Sequence, residues 1–280
     1  MASYYQHLSI YQPPSTRDLH TAVIYLHGGG LLYGERNDLP RNIIHWFLME
    51  GYTLFCLDYL LGPESSLAEI REDLKEEISW LIIDIFPKYQ VEKCFLYGRS
   101  AGTYLCFLMA KEMRKELHPE GILAFYGYYN LLESFLWKPS DYYNTLPMVD
   151  EQVVEKAIKK QQIKKGPKHL RFSIYVYARQ KGNWMDLLGV DKKTALEFSL
   201  TDEDLNLLPP IFIAASTTDQ DVPYRVSKEL FRRIPGAQMK TVYEKEHDFD
   251  RDATLPEVQA VYQKAFLWMK KRDWHTNLPI

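Results

Sequence analysis

The sequence predicts an α/β fold: a mostly parallel central sheet flanked by helices, with a helical insertion late in the chain. Three observations carry this prediction. Short apolar runs recur without polar alternation, as expected of strands buried on both faces. Segments with apolar residues at helical spacing separate them. The alternation then breaks over residues 131–208, a stretch too long for a connecting loop.

Taken in order, residues 21–26 form a β-rich run ending at a glycine cluster, and residues 52–58 form a second, broken by Tyr59-Leu60-Leu61-Gly62-Pro63. Residues 65–86 place Leu67, Ile70, Leu74, Ile78, Leu81, Ile82 and Ile85 at helical spacing, with acids and Lys75 on the other face. Residues 91–97 read as a buried strand that leads into a helix over 101–115. Residues 122–126 and 210–216 are further strands, and the less apolar 240–243 is another. Inside the insertion, a charged helix over 150–165 is stopped by Gly166-Pro167 and followed by a Tyr- and Phe-rich patterned stretch, 170–188. The expected division is a core of residues 1–130 and 209–280 with a helical cap, 131–208. Such a cap would cover the sheet's carboxyl edge, where open α/β sheets bind ligands.

The 280 residues suffice for one large α/β domain or two small ones, and 46% hydrophobic with 25% charged residues is ordinary for a folded chain. A formal net charge of -3 offers no basic field, so no nucleic-acid partner is expected. Cys56, Cys94 and Cys106 sit in apolar runs without CxxC spacing, which predicts neither disulfide nor metal and fits a reducing cytoplasm. The N-terminus lacks the basic-then-apolar pattern of a signal peptide, and no run is apolar for long enough to cross a bilayer. A soluble cytoplasmic protein without stable membrane insertion is expected. The oligomeric state stays open, a homo-oligomer included.

The chemistry concentrates in four places. Tyr97-Gly98-Arg99-Ser100-Ala101-Gly102 writes G-x-S-x-G across the predicted strand-to-helix corner, where the hydroxyl is pushed out above the sheet. Upstream lies His27-Gly28-Gly29-Gly30. Past the insertion, a strand runs into Asp219-Gln220-Asp221, and a later strand into Glu246-His247-Asp248-Phe249. A serine hydroxyl becomes a nucleophile when an imidazole takes its proton, and a carboxylate fixes that imidazole's tautomer. Ser100, Asp219 and His247 stand in the chain order this topology requires. Asp221 is the rival acid but also fits a helix-start role. His275 is the rival histidine but lies in the polar tail. Backbone N–H groups of Gly29, Gly30 and Ala101 are the candidate oxyanion donors. His27 is assigned to orienting the glycine loop.

These motifs resemble the α/β hydrolases of the hormone-sensitive-lipase-like esterase group. The resemblance rests on H-G-G-G (27–30), Asp58-Tyr59-Leu60-Leu61-Gly62-Pro63-Glu64, G-x-S-A-G (98–102), D-x-x-V-P (219–223) and H-x-F (247–249). It implies the α/β-hydrolase fold, an esterase or lipase-like activity without cofactor or metal, Ser100 as nucleophile, Asp219 as orienting acid and His247 as base. Gly29, Gly30 and Ala101 would form the oxyanion hole. The chain departs from the pattern at Arg99, where the group has Asp, at Asp248, where it has Gly, and at Leu60, where it has Arg. The short stretch before the first motif strand also leaves little of the group's N-terminal cap segment.

Aromatic residues are dense from Phe125 to Trp184. Tyr33, Tyr128, Tyr129 and Trp137 are the candidate substrate-lining rings, the alternative being that such rings glue the cap to the core. Asp248, Asp250 and Asp252 lack the glycine and terminal glutamate of a calcium loop and read as a solvated turn. The Lys-rich 156–168 reads as a solvated helix face. The expected activity is hydrolysis of a small-molecule carboxylic ester with a small to medium acyl group through an acyl-enzyme. The alternatives are a peptidase or amidase on the same fold, and a catalytically silent ligand-binding homologue.

Overall fold

In the computed structural model, which describes residues 2–275 with side chains over 5–273, eight strands form one sheet. They are β1 (Ala2–Tyr4), β2 (Leu8–Tyr11), β3 (Thr21–Leu26), β4 (Tyr52–Leu57), β5 (Lys93–Arg99), β6 (Gly121–Phe125), β7 (Ile211–Ser216) and β8 (Gln238–Val242). Their order is β1-β2-β4-β3-β5-β6-β7-β8. β3 to β8 are parallel to one another, and β2 is antiparallel to β4. β3, β4, β6 and β7 are buried at every position, so their sequences need no polar alternation.

Helices cover both faces. On one face, α1 (Arg41–Met49) packs with the C-terminal helix against Val23, Tyr25, Tyr97 and Phe125. On the other lie α2 (Leu67–Trp80) and α3 (Ala101–Glu112). α2 begins at a capping box, Ser66 with Glu69, in which side chain and backbone satisfy each other's free polar groups. The helical spacing read through to residue 86 ends early: a π turn at Leu81–Ile85 and a 3-10 turn at Phe86–Tyr89 follow α2.

Between β6 and β7 come α4 (Glu151–Ala157), α5 (Lys168–Lys181), α6 (Trp184–Leu187), α7 (Lys192–Phe198) and α8 (Asp202–Asn206). After β7 come α9 (Tyr224–Arg233) and α10 (Pro256–His275). The charged helix expected over 150–165 is therefore only α4, because tertiary pairing draws the following chain away. Glu64 accepts the Lys159 backbone N–H at 2.7 Å, and Lys164 reaches Asp73 at 2.6 Å and Glu77 at 2.5 Å. Lys164 is thus a bolt between the insertion and α2 rather than part of a solvated helix face. The patterned stretch 170–188 divides into α5 and α6 at Gly182, which is left-handed at φ 72.

The insertion shares its core with one face of the sheet: Ile174, Tyr175 and Trp184 belong to the same buried cluster as Leu26, Leu105 and Ile213. Its strongest polar tie is Arg171 to Glu64, two contacts at 2.7 Å between side chains 3% and 1% exposed. The same guanidinium donates to the Leu32 and Gly62 carbonyls. Arg171→Ala leaves the buried Glu64 without a counter-charge and with only the Lys159 N–H on it, and removing one partner of a buried pair costs about 3–5 kcal/mol in comparable cases. Urea unfolding is expected to show a loss of that size, and a loss below about 1 kcal/mol, the level of an exposed pair, would mean that the tie is not an anchor.

Candidate active site

Ser100 occupies the corner between β5 and α3 with φ 53 and ψ -120, a conformation L residues rarely adopt. The corner is held by its own N–H donating to the Phe125 carbonyl at 2.9 Å and by Thr103 Oγ1 donating to the Gly98 carbonyl at 2.7 Å. A side chain on Gly98 would collide with the Thr103 backbone, and one on Gly102 with the Leu26 carbonyl. The flanking glycines are thus required by close backbone approach, as the pentapeptide predicts.

From that corner a hydrogen-bonded relay runs outward. Ser100 Oγ lies 2.9 Å from His247 Nε2, and His247 Nδ1 lies 2.7 Å from Asp219 Oδ2. The Asp219 side chain is 1% exposed, and its other oxygen accepts the N–H groups of Asp221 and Val222 at 2.8 and 2.9 Å. With Nδ1 donating to the carboxylate, neutral His247 presents Nε2 to the serine as an acceptor. Burial pushes the imidazole's pKa down, but the charge and hydrogen bond of Asp219, and then Asp221, outweigh it and hold it above the usual histidine value.

Asp221 neither bonds His247 Nδ1 nor caps a helix. Its Oδ2 lies 3.9 Å from His247 Nε2, beyond hydrogen-bond reach and away from Nδ1. α9 starts behind Pro223 with no side-chain cap. Asp221 is instead held by Tyr175 Oη at 2.7 Å, Tyr143 Oη at 3.3 Å and Arg179 at 3.4 Å. The rival His275 ends α10, and its side chain and the tail after it lie outside the described residues.

Gly28, Gly29 and Gly30 line the same cavity as Ser100 and His247. Among the described residues, no protein acceptor takes the N–H of Gly29 or Gly30. Ala101 is the first residue of α3, where the N–H has no intrahelical partner. His27 does orient this loop: its Nδ1 lies 2.7 Å from the Gly28 carbonyl, and its ring stacks on Tyr59, whose hydroxyl donates to the His27 carbonyl at 2.7 Å. Trp184 of the insertion donates to the Gly30 carbonyl at 2.8 Å.

The cavity holds about 310 Å³. Of the four candidate lining rings, only Tyr33 faces it. Tyr128 is fully buried, stacked on Tyr104 and edge-on to Trp184. Tyr129 is 1% exposed in the core. Trp137 donates to the Leu131 carbonyl and carries Lys192 on its ring. Tyr128 thus joins the core to the insertion through Trp184, whereas the contacts of Trp137 lie within the insertion. Tyr126, at the start of the aromatic-dense stretch, also lines the cavity, together with Arg99, and with Tyr175, Asp38, Lys168 and Arg251, which sequence reasoning did not assign to the site. No motif marks these last four, because they converge from distant parts of the chain, Lys168 and Tyr175 from α5 and the others from the segments around the sheet's carboxyl edge.

The acidic run after His247 is not uniformly solvated. Asp252 is exposed, but Asp250 is fully buried and ion-paired with Arg99 at 2.8 Å. Among the described residues, no group of His, Cys, Asp and Glu is arranged to hold a metal, and no helix is long and apolar enough to cross a membrane.

Comparison with known proteins supplies the context for this geometry. Residues 8–135, which carry the glycine loop and Ser100, match the family described as BD-FAE. The fold superposes on the crystal structure of an alpha/beta hydrolase superfamily protein from Enterococcus faecalis with a TM-score of 0.85, at 30% identity over 94% of each chain. The chain is 23% identical to a probable carboxylesterase, M8, of a Phoma species, over 84% of this chain and 81% of that protein. It is also 30% identical to a segment of the non-reducing polyketide synthase adrD of Penicillium rubens, covering 42% of this chain but only 5% of that protein.

Proposed function

The chain belongs to the esterase- and lipase-like α/β hydrolases, and from that premise we propose that it hydrolyses carboxylic esters of small to medium acyl groups by a serine mechanism. The observation that carries this reading is the continuous relay Ser100–His247–Asp219, 2.9 and 2.7 Å, opening into a cavity of about 310 Å³. A cavity near the small end of the ligand-site range suits a short acyl chain rather than a long one.

Ser100 Oγ attacks the ester carbonyl carbon while His247 Nε2 takes the hydroxyl proton, and Asp219 stabilises the imidazolium that forms. The carbonyl oxygen becomes an oxyanion, whose stabilisation this reading gives to the N–H groups of Gly29, Gly30 and Ala101. Collapse expels the alkoxide, which leaves as the alcohol with the proton from His247, and Ser100 remains acylated. Water then repeats the sequence: it attacks the acyl carbon, gives its proton to His247, and the acid departs as Ser100 regains its hydrogen. No cofactor is needed for any step.

Hydrolysis of a chain-length series of p-nitrophenyl esters, with Ser100→Ala as control, tests this reading. Turnover on short esters that vanishes in the variant supports it. Equal background rates from both proteins overturn the ester reading and redirect the search to amide or peptide bonds, or to a binding role.

The pH dependence has a definite sign. The base is active only when neutral, and its pKa is held above the usual value, about 6.5. The rate constant kcat/KM is therefore expected to fall as pH drops, with its acidic midpoint above that value. A midpoint below it would contradict the His247–Asp219 pairing.

A further inference from the structure

We propose that the buried Arg99–Asp250 ion pair is a positioning device for the reaction, tying the strand that delivers Ser100 to the loop that delivers His247. Neither side chain is hydrogen-bonded to the relay, and the inference rests on the reading of Ser100 and His247 as nucleophile and base.

The relay joins two elements of separate origin. Ser100 is fixed by the corner after β5, whereas His247 stands on the irregular segment between β8 and α10. Asp219 grips one ring nitrogen, but a single hydrogen bond leaves the ring free to pivot about it. The other grip comes from below. Tyr126 packs edge-on against the imidazole, ring centres 4.8 Å apart, and its hydroxyl is clamped between Arg99 Nε at 2.6 Å and Asp250 Oδ1 at 2.7 Å. Arg99 Nη2 donates to that same Asp250 oxygen at 2.8 Å. Asp250 is fully buried and also accepts from Tyr262 of α10 at 2.7 Å.

One carboxylate therefore gathers β5, the residue after β6, α10 and the histidine loop at a single point. Phe249, between His247 and Asp250, is buried against Phe125 and keeps the loop pressed on the same face. The two features of the sequence without an assigned role account for each other. An acid at position 99 would face Asp250 across the same gap, whereas arginine makes a buried acid there admissible. The fork geometry of a guanidinium also lets one side chain hold Tyr126 and Asp250 together, which a lysine's single point of charge would not do. Alignment matters at this scale, since a displacement of about 1 Å in a catalytic group can cost on the order of a hundredfold in rate.

The test is the rate at which a fluorophosphonate labels Ser100, followed as a function of pH in wild type, Asp250→Asn, Arg99→Met and the double variant. This readout needs no knowledge of the natural substrate. The other charges nearest the imidazole, Asp219, Asp221 and Arg179, are unchanged in all four proteins. Both single variants are expected to label at least about tenfold more slowly. Their acidic midpoints should move in opposite directions. Asp250→Asn leaves the Arg99 cation with only Asp38, 3.5 Å away and 33% exposed, which disfavours the imidazolium and lowers the midpoint, and Arg99→Met leaves the fully buried Asp250 anion, which raises it. A merely structural loosening would not split them by sign. In the double variant the midpoint should return to the wild-type value while labelling stays slow, because the tether is gone. That protein carries no lone buried charge, so it keeps the test available if Asp250→Asn does not fold. Labelling at the wild-type rate in Asp250→Asn or in the double variant would overturn the positioning role alone. Failure of wild type to label, or equal labelling of Ser100→Ala, would instead overturn the serine reading on which the inference stands.

Discussion

Ser100→Ala and His247→Ala are each expected to lower kcat on an activated ester by on the order of a millionfold, and the double variant is expected to be no slower than either. The reason is that the two side chains act as one unit. With Oγ 2.9 Å from Nε2, the proposed mechanism couples proton removal to nucleophilic attack. Removing the base leaves a hydroxyl of ordinary acidity, and removing the hydroxyl leaves a base with nothing to deprotonate. What survives in all three variants is binding together with the oxyanion donors, worth on the order of a thousandfold over water. Rates for the two single variants and the double, measured on the ester that wild type prefers, decide the matter. Multiplicative losses would mean that Ser100 and His247 contribute independently, and the relay would then be a structural hydrogen bond. The three proteins should unfold at similar denaturant concentrations, because the corner is held by backbone bonds and by Thr103 rather than by the Ser100 hydroxyl.

The nucleophile corner was legible from sequence because its requirements are local. The two glycines, the apolar strand before them and the helix after them are contiguous, and each is demanded by sterics within a few residues. The central strands were legible for a related reason: burial on both faces removes polar residues altogether, as in Thr21–Leu26, whose bounds the apolar run matches. The edge was not. β1 and β2 are short and were not distinguished from a coil next to Pro13 and Pro14. α10 was also missed, since its residues Val258, Val261, Tyr262, Ala265, Phe266, Trp268 and Met269 are buried around much of its circumference and blur the amphipathic period.

In the site, the failures share one physical origin. An acid reads as solvated unless its partner is visible, and the partner of Asp250 is Arg99, 151 positions away in the chain. The same holds for Asp221, whose partners Tyr143, Tyr175 and Arg179 come from the insertion. The rings of Tyr128, Tyr129 and Trp137 failed in the other direction. Aromatic density marks a large apolar contact, and here that contact is packing within the core, within the insertion and, at Tyr128 on Trp184, between the two, rather than between protein and ligand. Charge partners and cavity walls are properties of the tertiary structure, whereas a strained corner is a property of a hexapeptide.

The two aspartates near the histidine offer the sharpest separation between a residue that orients the base and one that merely sits beside it. Asp219→Asn is expected to lower kcat by roughly ten-thousandfold, because an amide in place of the carboxylate stabilises the wrong imidazole tautomer. The Asp219 oxygen that accepts the Asp221 and Val222 N–H groups sets the carboxylate's orientation. The asparagine oxygen is drawn to those same donors, which turns its NH2 toward Nδ1 and forces the proton onto Nε2, where it blocks attack by Ser100. Asp221→Asn keeps one of the hydrogen bonds that Tyr175 and Tyr143 donate to separate carboxylate oxygens, reverses the other so that the amide NH2 donates to a phenol, and leaves the tautomer alone, so a loss of about tenfold or less is expected. Both aspartates raise the His247 pKa, Asp219 more than Asp221. The acidic midpoint of kcat/KM should therefore fall in both variants, and further in Asp219→Asn. If Asp221→Asn proved the more damaging of the two, the assignment of the orienting acid would be wrong. The carboxylate on the Nε2 side, 3.9 Å away, would then act directly on the proton in flight between serine, histidine and leaving group.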